Sequence, residues 1–243
     1  MTTRCYPSRR RFLLTTLAVP LATQAMLGAQ TKKPMRIAFI GSGRQGGALG
    51  LQLAKAGHEV MFSSRNPDQL KDLVAKAGAK ARAGRPDEAA KFGDVIVVAV
   101  PYGALPQIGK DYAALMKGKV VIELGNPRAD RDGPMATDAI KKGTGVASAE
   151  YLPGVRLVRA FNALSFVQVE REAHRPGEKL GIPIAGDDPA AVATVVQLVQ
   201  DAGFDPVVVG GLARAREFDT GTPVYVKGLT ARQLREALKL PNP

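Results

Sequence analysis

The chain has 243 residues, a formal net charge of +12, one cysteine, two histidines and no tryptophan. A single cysteine excludes an internal disulfide framework and a cysteine-rich metal site. The basic excess suits anionic ligands, but no basic stripe interleaved with aromatics and no nucleic-acid motif accompanies it, so nucleic acid is not an expected partner.

Residues 1–30 stand apart from the rest. Ser8-Arg9-Arg10-Arg11-Phe12-Leu13-Leu14 matches the twin-arginine export pattern, in which two arginines precede a variable residue, then Phe and Leu. The apolar run that follows is broken by Thr15, Thr16, Pro20, Thr23 and Gln24. It reads as a signal peptide cleaved near Ala25 or Ala29 rather than as a stable membrane span, which needs about 20 strongly apolar residues. The expected partner is the twin-arginine export machinery and the expected location periplasmic or otherwise exported; an arginine-rich general secretory signal is the alternative. The segment carries Arg4, Arg9, Arg10 and Arg11 and no acid, so its removal leaves +8. It also carries Cys5, the sole thiol. Roughly 210 residues remain, enough for one or two small domains with a real core.

The next segment, from Met35 to Arg65, predicts a strand at Arg36–Ile40, a glycine turn, a helix, and a second strand from about His58 to Phe62. The turn reads Gly41-Ser42-Gly43-Arg44-Gln45-Gly46. In a dinucleotide site the first glycine makes the tight turn, the second admits the pyrophosphate to the backbone, and the third lets the helix lie close on the sheet. The helix then aims its free N–H groups at the anion. Leu49, Leu53 and Ala56 mark its apolar face, and Gly57 suits a left-handed terminating residue. An NAD site places Asp or Glu about 20 residues beyond the glycines. Here Ser64 and Arg65 stand there, a hydroxyl and a forked cation suited to a 2′-phosphate, and the expected cofactor is NADP. For Arg44, assistance to the phosphates, cover over the adenine and plain exposure all stay open.

Asn66-Pro67-Asp68 opens a further helix through Leu70, Leu73 and Val74. Asp94–Val100 is a continuous apolar run of the kind found in a strand buried on both faces, ending in Pro101-Tyr102-Gly103. Val120–Leu124 ends in Gly125-Asn126-Pro127, and Leu157–Phe161 ends in Asn162. In a parallel sheet these ends share one crevice with the glycine turn. Arg128–Pro134 reads as a charged loop able to close over it. Leu180–Ala185 is a strand, and Asp187-Asp188-Pro189 opens a helix with a valine stripe ending at Gly203. Helix capping is favoured over metal binding for the aspartate pair, and no metal site is expected. Phe204–Val209 is a strand, and Thr230 with Gln233 forms a capping box for a last helix. The apolar run Val207–Leu212 serves equally as core or as a homodimer face.

The expected fold class is therefore α/β, a Rossmann-type doubly wound, mostly parallel sheet with a small C-terminal α/β extension. The expected division is an NADP-binding domain at 35–150 and a smaller domain at 151–243 completing the acceptor pocket.

GSGRQG, GHEVMFSSRNP, VVAVPYGAL, VIELGNP, VRAFNAL, IAGDDPAAV and LVQDAGFDPVVVGGL follow in order between Met35 and Leu212. Together they resemble the family of NADP oxidoreductases dependent on the deazaflavin coenzyme F-420, and the same module resembles the cytosolic part of metalloreductases that pass electrons from NADPH to flavin. The resemblance implies hydride transfer between NADPH and a small-molecule acceptor, a flavin or deazaflavin, stacked on the nicotinamide. It places Ser64 and Arg65 on the 2′-phosphate, Val100 and Pro101 along the nicotinamide ribose and ring, and Asn126, Ala160 and Asn162 at the border of the acceptor pocket. No nucleophile or general base is required, in keeping with a chain whose histidines, His58 and His174, read as structural and exposed. The alternative is an exported NADP-binding sensor or carrier without turnover.

Overall fold

A computed structural model of the protein describes residues 1–3 and 33–241, and residues 34–243 form one compact unit. The segment expected to be a signal peptide lies, from residue 4 onward, outside the described residues. Eight strands make one sheet: β1 (Arg36–Ile40), β2 (Glu59–Ser63), β3 (Ala81–Gly84), β4 (Val95–Val98), β5 (Val120–Glu123), β6 (Arg156–Arg159), β7 (Gly181–Gly186) and β8 (Asp205–Gly210). Their spatial order is β3-β2-β1-β4-β5-β6-β7-β8. The first six run parallel in the Rossmann order; β7 is antiparallel to β6, and β8 is parallel to β7. The boundary expected at 150/151 thus falls within a continuous sheet, because β6 pairs with β5 across it.

Among the described residues ten α-helices accompany the strands, nine between them and the last after β8: α1 (Arg44–Lys55), α2 (Lys71–Ala77), α3 (Pro86–Phe92), α4 (Leu105–Met116), α5 (Ala129–Asp132), α6 (Pro134–Lys142), α7 (Thr144–Tyr151), α8 (Phe166–Glu172), α9 (Pro189–Asp201) and α10 (Ala231–Ala237). Alternation along β1 sends Ile37 and Phe39 to one face of the sheet, with Leu49 and Leu53 of α1, and Ala38 and Ile40 to the other, with Leu105 and Met116 of α4. Both faces are covered, which is why β4 reads as unbroken Val-Ile-Val-Val. A third cluster, around Phe218 and Leu234, fills the space under the C-terminal segment.

Gly57 has φ +97° and Gly203 φ +89°, the left-handed turns expected after α1 and α9. Asp188 caps α9 by accepting from the Ala190 and Ala191 N–H groups and also pairs with Arg156, while Asp187 accepts from the Leu212 N–H. Thr230 and Gln233 form the capping box of α10. His58 is buried between the Met35 N–H at 3.1 Å and the Asp201 carboxylate at 3.2 Å, a structural position. The stretch expected to be a charged loop holds the single-turn α5, because the Asp132 carboxylate accepts from the Arg128 N–H and closes the turn. In the run Val207–Leu212, Val207 and Val209 are core and Val208 is exposed on edge strand β8.

α1 lies close on the sheet at Gly50, where a Cβ would sit 2.2 Å from Phe62 Cε1 and 3.2 Å from Phe39 Cε2. Gly50→Ala is expected to destabilise the fold by about 1–3 kcal/mol through overpacking, outweighing the higher helix propensity of alanine. Denaturant titration checks this; a variant as stable as the parent would show that α1 has room to move.

Candidate functional site

The crevice lies where the strand order reverses, between the carboxyl ends of β1 and β4. It has two lobes that share Ala99, Val100 and Pro101. The first, of about 800 Å³, is walled by Gly41–Gly43, Ser63–Arg65 and the start of α4. The second, of about 680 Å³, is walled by Arg44, Gln45, Leu124–Asn126, Phe161, Asn162, Phe166 and the C-terminal segment at Thr220, Tyr225 and Val226.

The glycines of the turn do three different jobs. Gly41 has φ +92°, and a Cβ there would lie 2.6 Å from the Ala99 carbonyl oxygen. At Gly46 a Cβ would lie 2.4 Å from the Gly41 carbonyl oxygen, so this glycine seats α1 under the turn and lines neither lobe. Gly43 has extended backbone, open to any residue, and a Cβ there would meet nothing within 4 Å. Neither conformation nor packing requires a glycine at 43. The open space before it, facing the N-terminus of α1, fits a diphosphate brought against the backbone.

Ser42 Oγ accepts from the Ser63 N–H at 2.9 Å and ties the turn to the end of β2. Ser64 is anchored by its N–H to the Gly84 carbonyl, and its Oγ accepts from the Asn66 N–H at 3.1 Å. Arg65 is exposed at the rim of this lobe and makes no ion pair among the described residues. The carboxylate in the wall, Asp111, lies on α4 and accepts from Gln107 at 2.6 Å. The donor set therefore fits a phosphorylated ribose beside Ser64 and Arg65.

In the second lobe the Asn126 side chain donates to the Asn162 carbonyl at 2.9 Å, and Asn162 Nδ2 donates to Asn126 Oδ1 at 3.3 Å. Among the described residues Asn162 Oδ1 is buried without a hydrogen-bond partner. Phe161 holds φ +62°, strained for a side chain of that size. The Gln45 side chain stabilises this kink by donating to the carbonyls of Phe161 and Leu164 at 3.3 and 3.2 Å. Val100, Pro101, Asn126 and Asn162 line the crevice. Ala160 does not: it is fully buried in the core beside the sheet, and the backbone turn at Phe161 brings the next two residues to the lobe instead. Arg44 belongs to the second lobe, its guanidinium 4.8 Å above the Phe166 ring.

Beneath this lobe is a charged network that the sequence reading missed. Arg159 is fully buried and donates to Glu123, to the Gly125 carbonyl at 2.7 Å and to Asp219 at 3.0 Å. Glu123 also accepts from Ser148 at 3.0 Å and from the Gly125 N–H, and Ser148 bonds the Tyr102 hydroxyl at 3.0 Å. Burial pushes the Glu123 carboxyl above its ordinary range, against the pull of Arg159. The effect is to clamp the Gly125-Asn126 turn and, through Asp219, the C-terminal wall. A signal was present in the sequence: Glu and Arg each interrupt an apolar strand, and β5 and β6 pair with Glu123 opposite Arg159.

Residues 36–127 match the family described as NADP oxidoreductase, coenzyme F-420-dependent. The F-420-dependent NADP reductase of Methanocaldococcus jannaschii is 28% identical over 207 residues, covering 79% of this chain and 91% of that protein. Metalloreductase STEAP3 of Rattus norvegicus is 29% identical over 195 residues; 77% of this chain is covered, but only 36% of the metalloreductase. Among solved structures, a hypothetical protein from Sinorhizobium meliloti superposes with a TM-score of 0.70 at 24% identity, over 82% of this chain and 96% of the other, a likeness of fold. The family match ends at the Gly125-Asn126-Pro127 turn, so Asn162, Phe166 and the Thr220–Val226 wall lie beyond it.

Replacing Arg159 by methionine leaves Glu123 buried without its cation, and a loss of about 3–5 kcal/mol of stability is expected. Adding Glu123→Gln to Arg159→Met is expected to recover part of it. Chemical denaturation of both variants checks this, and equal stabilities would show that the pair is not coupled.

Proposed function

We infer, from the premise that this chain belongs to the coenzyme F-420-dependent NADP oxidoreductase family and is an NADP-dependent oxidoreductase, that it transfers hydride between NADPH and a flavin or deazaflavin ring. The observation that carries this reading is the crevice of two lobes meeting at Ala99–Pro101. A dinucleotide laid from Arg65 across Gly43 delivers its nicotinamide to the junction, where a second ring entering the other lobe lies against it.

Bound NADPH would supply the hydride to the acceptor ring, with the accompanying proton drawn from solvent. The protein's part is positioning. Ser64 and Arg65 hold the 2′-phosphate, and the N–H groups of the glycine turn and of α1 hold the diphosphate. Val100 and Pro101 form the floor at the junction. Asn126 and Asn162 bond each other and fix the polar edge of the acceptor lobe. Leu164, Phe166, Tyr225 and Val226 supply an apolar wall that excludes water. Export through the twin-arginine route is part of the proposal, supported by Arg9-Arg10-Arg11-Phe12-Leu13. That route carries folded proteins, so NADP bound in the cytoplasm would cross with the chain.

Purified protein is expected to oxidise NADPH, followed by its absorbance, with a flavin or deazaflavin present. NADP retained without turnover on any such acceptor would instead mark a carrier or sensor. Arg65→Ala is expected to weaken NADPH binding roughly ten- to a hundredfold, the value of one charge-assisted contact, and to leave NADH binding nearly unchanged. Equal affinity for NADPH in parent and variant would remove Arg65 from the phosphate site. For export, cell fractionation is expected to find the protein outside the cytoplasm, and Arg9→Lys with Arg10→Lys to keep it inside the cytoplasm. Undiminished export of that variant would point to the general secretory route.

A further inference from the structure

The acceptor lobe is lined by three arginines, Arg44, Arg128 and Arg131, and by no aspartate or glutamate. Two of the three are already neutralised. Arg128 forms a two-pronged pair with Asp130, at 3.1 and 2.5 Å, and Arg131 one with Asp132, at 2.8 and 2.7 Å. Arg44 differs. Among the described residues its guanidinium has no carboxylate partner, and it rests 4.8 Å above the centre of the Phe166 ring. It is the first residue of the twelve-residue α1, so it adds its charge to the positive end of that helix. A cation–π contact holds the guanidinium over the ring and leaves its N–H groups available, and guanidinium N–H groups grip a phosphate through parallel hydrogen bonds.

We propose that Arg44, held by Phe166, binds an anionic group carried by the electron acceptor, so that the enzyme selects a phosphorylated ring over the same ring without phosphate. This rests on the reading of the second lobe as an acceptor site and goes beyond it by naming what the acceptor must carry. It also reassigns Arg44 from the dinucleotide: the residue lines the acceptor lobe and is absent from the wall of the nucleotide lobe. Arg44 is thus a specificity-determining residue, with Phe166 its positioning platform.

The test compares kcat/KM for flavin mononucleotide and riboflavin, and for a phosphate-bearing deazaflavin and its phosphate-free chromophore, with NADPH as donor. The parent is expected to prefer the phosphorylated member of a pair roughly ten- to a hundredfold. Arg44→Ala is expected to bring the ratio close to one, and Phe166→Leu to lower it part of the way. Both acceptors are read on one preparation, so the ratio does not depend on how much of a variant is folded. In the parent the ratio is expected to fall as salt is raised, as for an accessible charge contact. Equal rates with both members in the parent would overturn the role of Arg44 while leaving the acceptor lobe standing. So would an Arg44→Ala variant that keeps the ratio and loses affinity for NADPH, which would place Arg44 on the dinucleotide phosphates. Reduction of none of the four rings would overturn the flavin reading of the lobe and this inference with it.

Discussion

The parallel pairing of β1 with β4, Ile37 to Val95 through Ile40 to Val98, is the constraint on which the site depends. Chain from β1 passes through α1 toward β2 on one side, and chain from β4 passes through α4 toward β5 on the other. The two connections must part at the carboxyl edge, and the gap between them is the crevice. The same pairing sets Gly41 against the Ala99 carbonyl so closely that no side chain fits there. Dinucleotide turn and crevice floor are therefore one structural unit.

The second lobe is assembled differently. Its walls come from the ends of β5 and β6, from the Phe161–Ser165 turn, and from a segment more than fifty residues further along. Short-range geometry cannot hold such distant pieces together. The buried guanidinium of Arg159 does so by joining the Gly125 turn to Asp219. Charges removed from water demand partners, and that demand fixes where each piece must lie. Gln45 adds a second tie from α1 to the Phe161 kink, so the glycine turn and the wall of the second lobe are braced against each other.

Much of this was legible in the residues. β1, α1, β2 and the strands at 95–98 and 120–123 follow from apolar runs bounded by glycine, proline and asparagine, and the caps at Asp188 and Thr230 follow from local hydrogen-bonding rules. Other features were hidden. Strand β3, Ala-Arg-Ala-Gly, has no apolar pattern because it lies at the sheet edge, and α5 exists because one carboxylate closes a turn. The antiparallel direction of β7 depends on where the chain re-enters the sheet, which periodicity does not record.

The sequence by itself determined the nucleotide end: glycines at 41, 43 and 46 and Ser-Arg at the tip of β2 are contiguous or one crossover apart, and their spacing alone places them together. Tertiary structure decided the second lobe. Which of the lobe's arginines has a carboxylate partner among the described residues, that the backbone turns at Phe161 and brings Asn162 to the lobe, and that residues 220–226 return to form a wall are all long-range outcomes. They are set by the burial of charge and the closing of the sheet, which act between residues far apart in the chain and leave only a faint mark on local pattern.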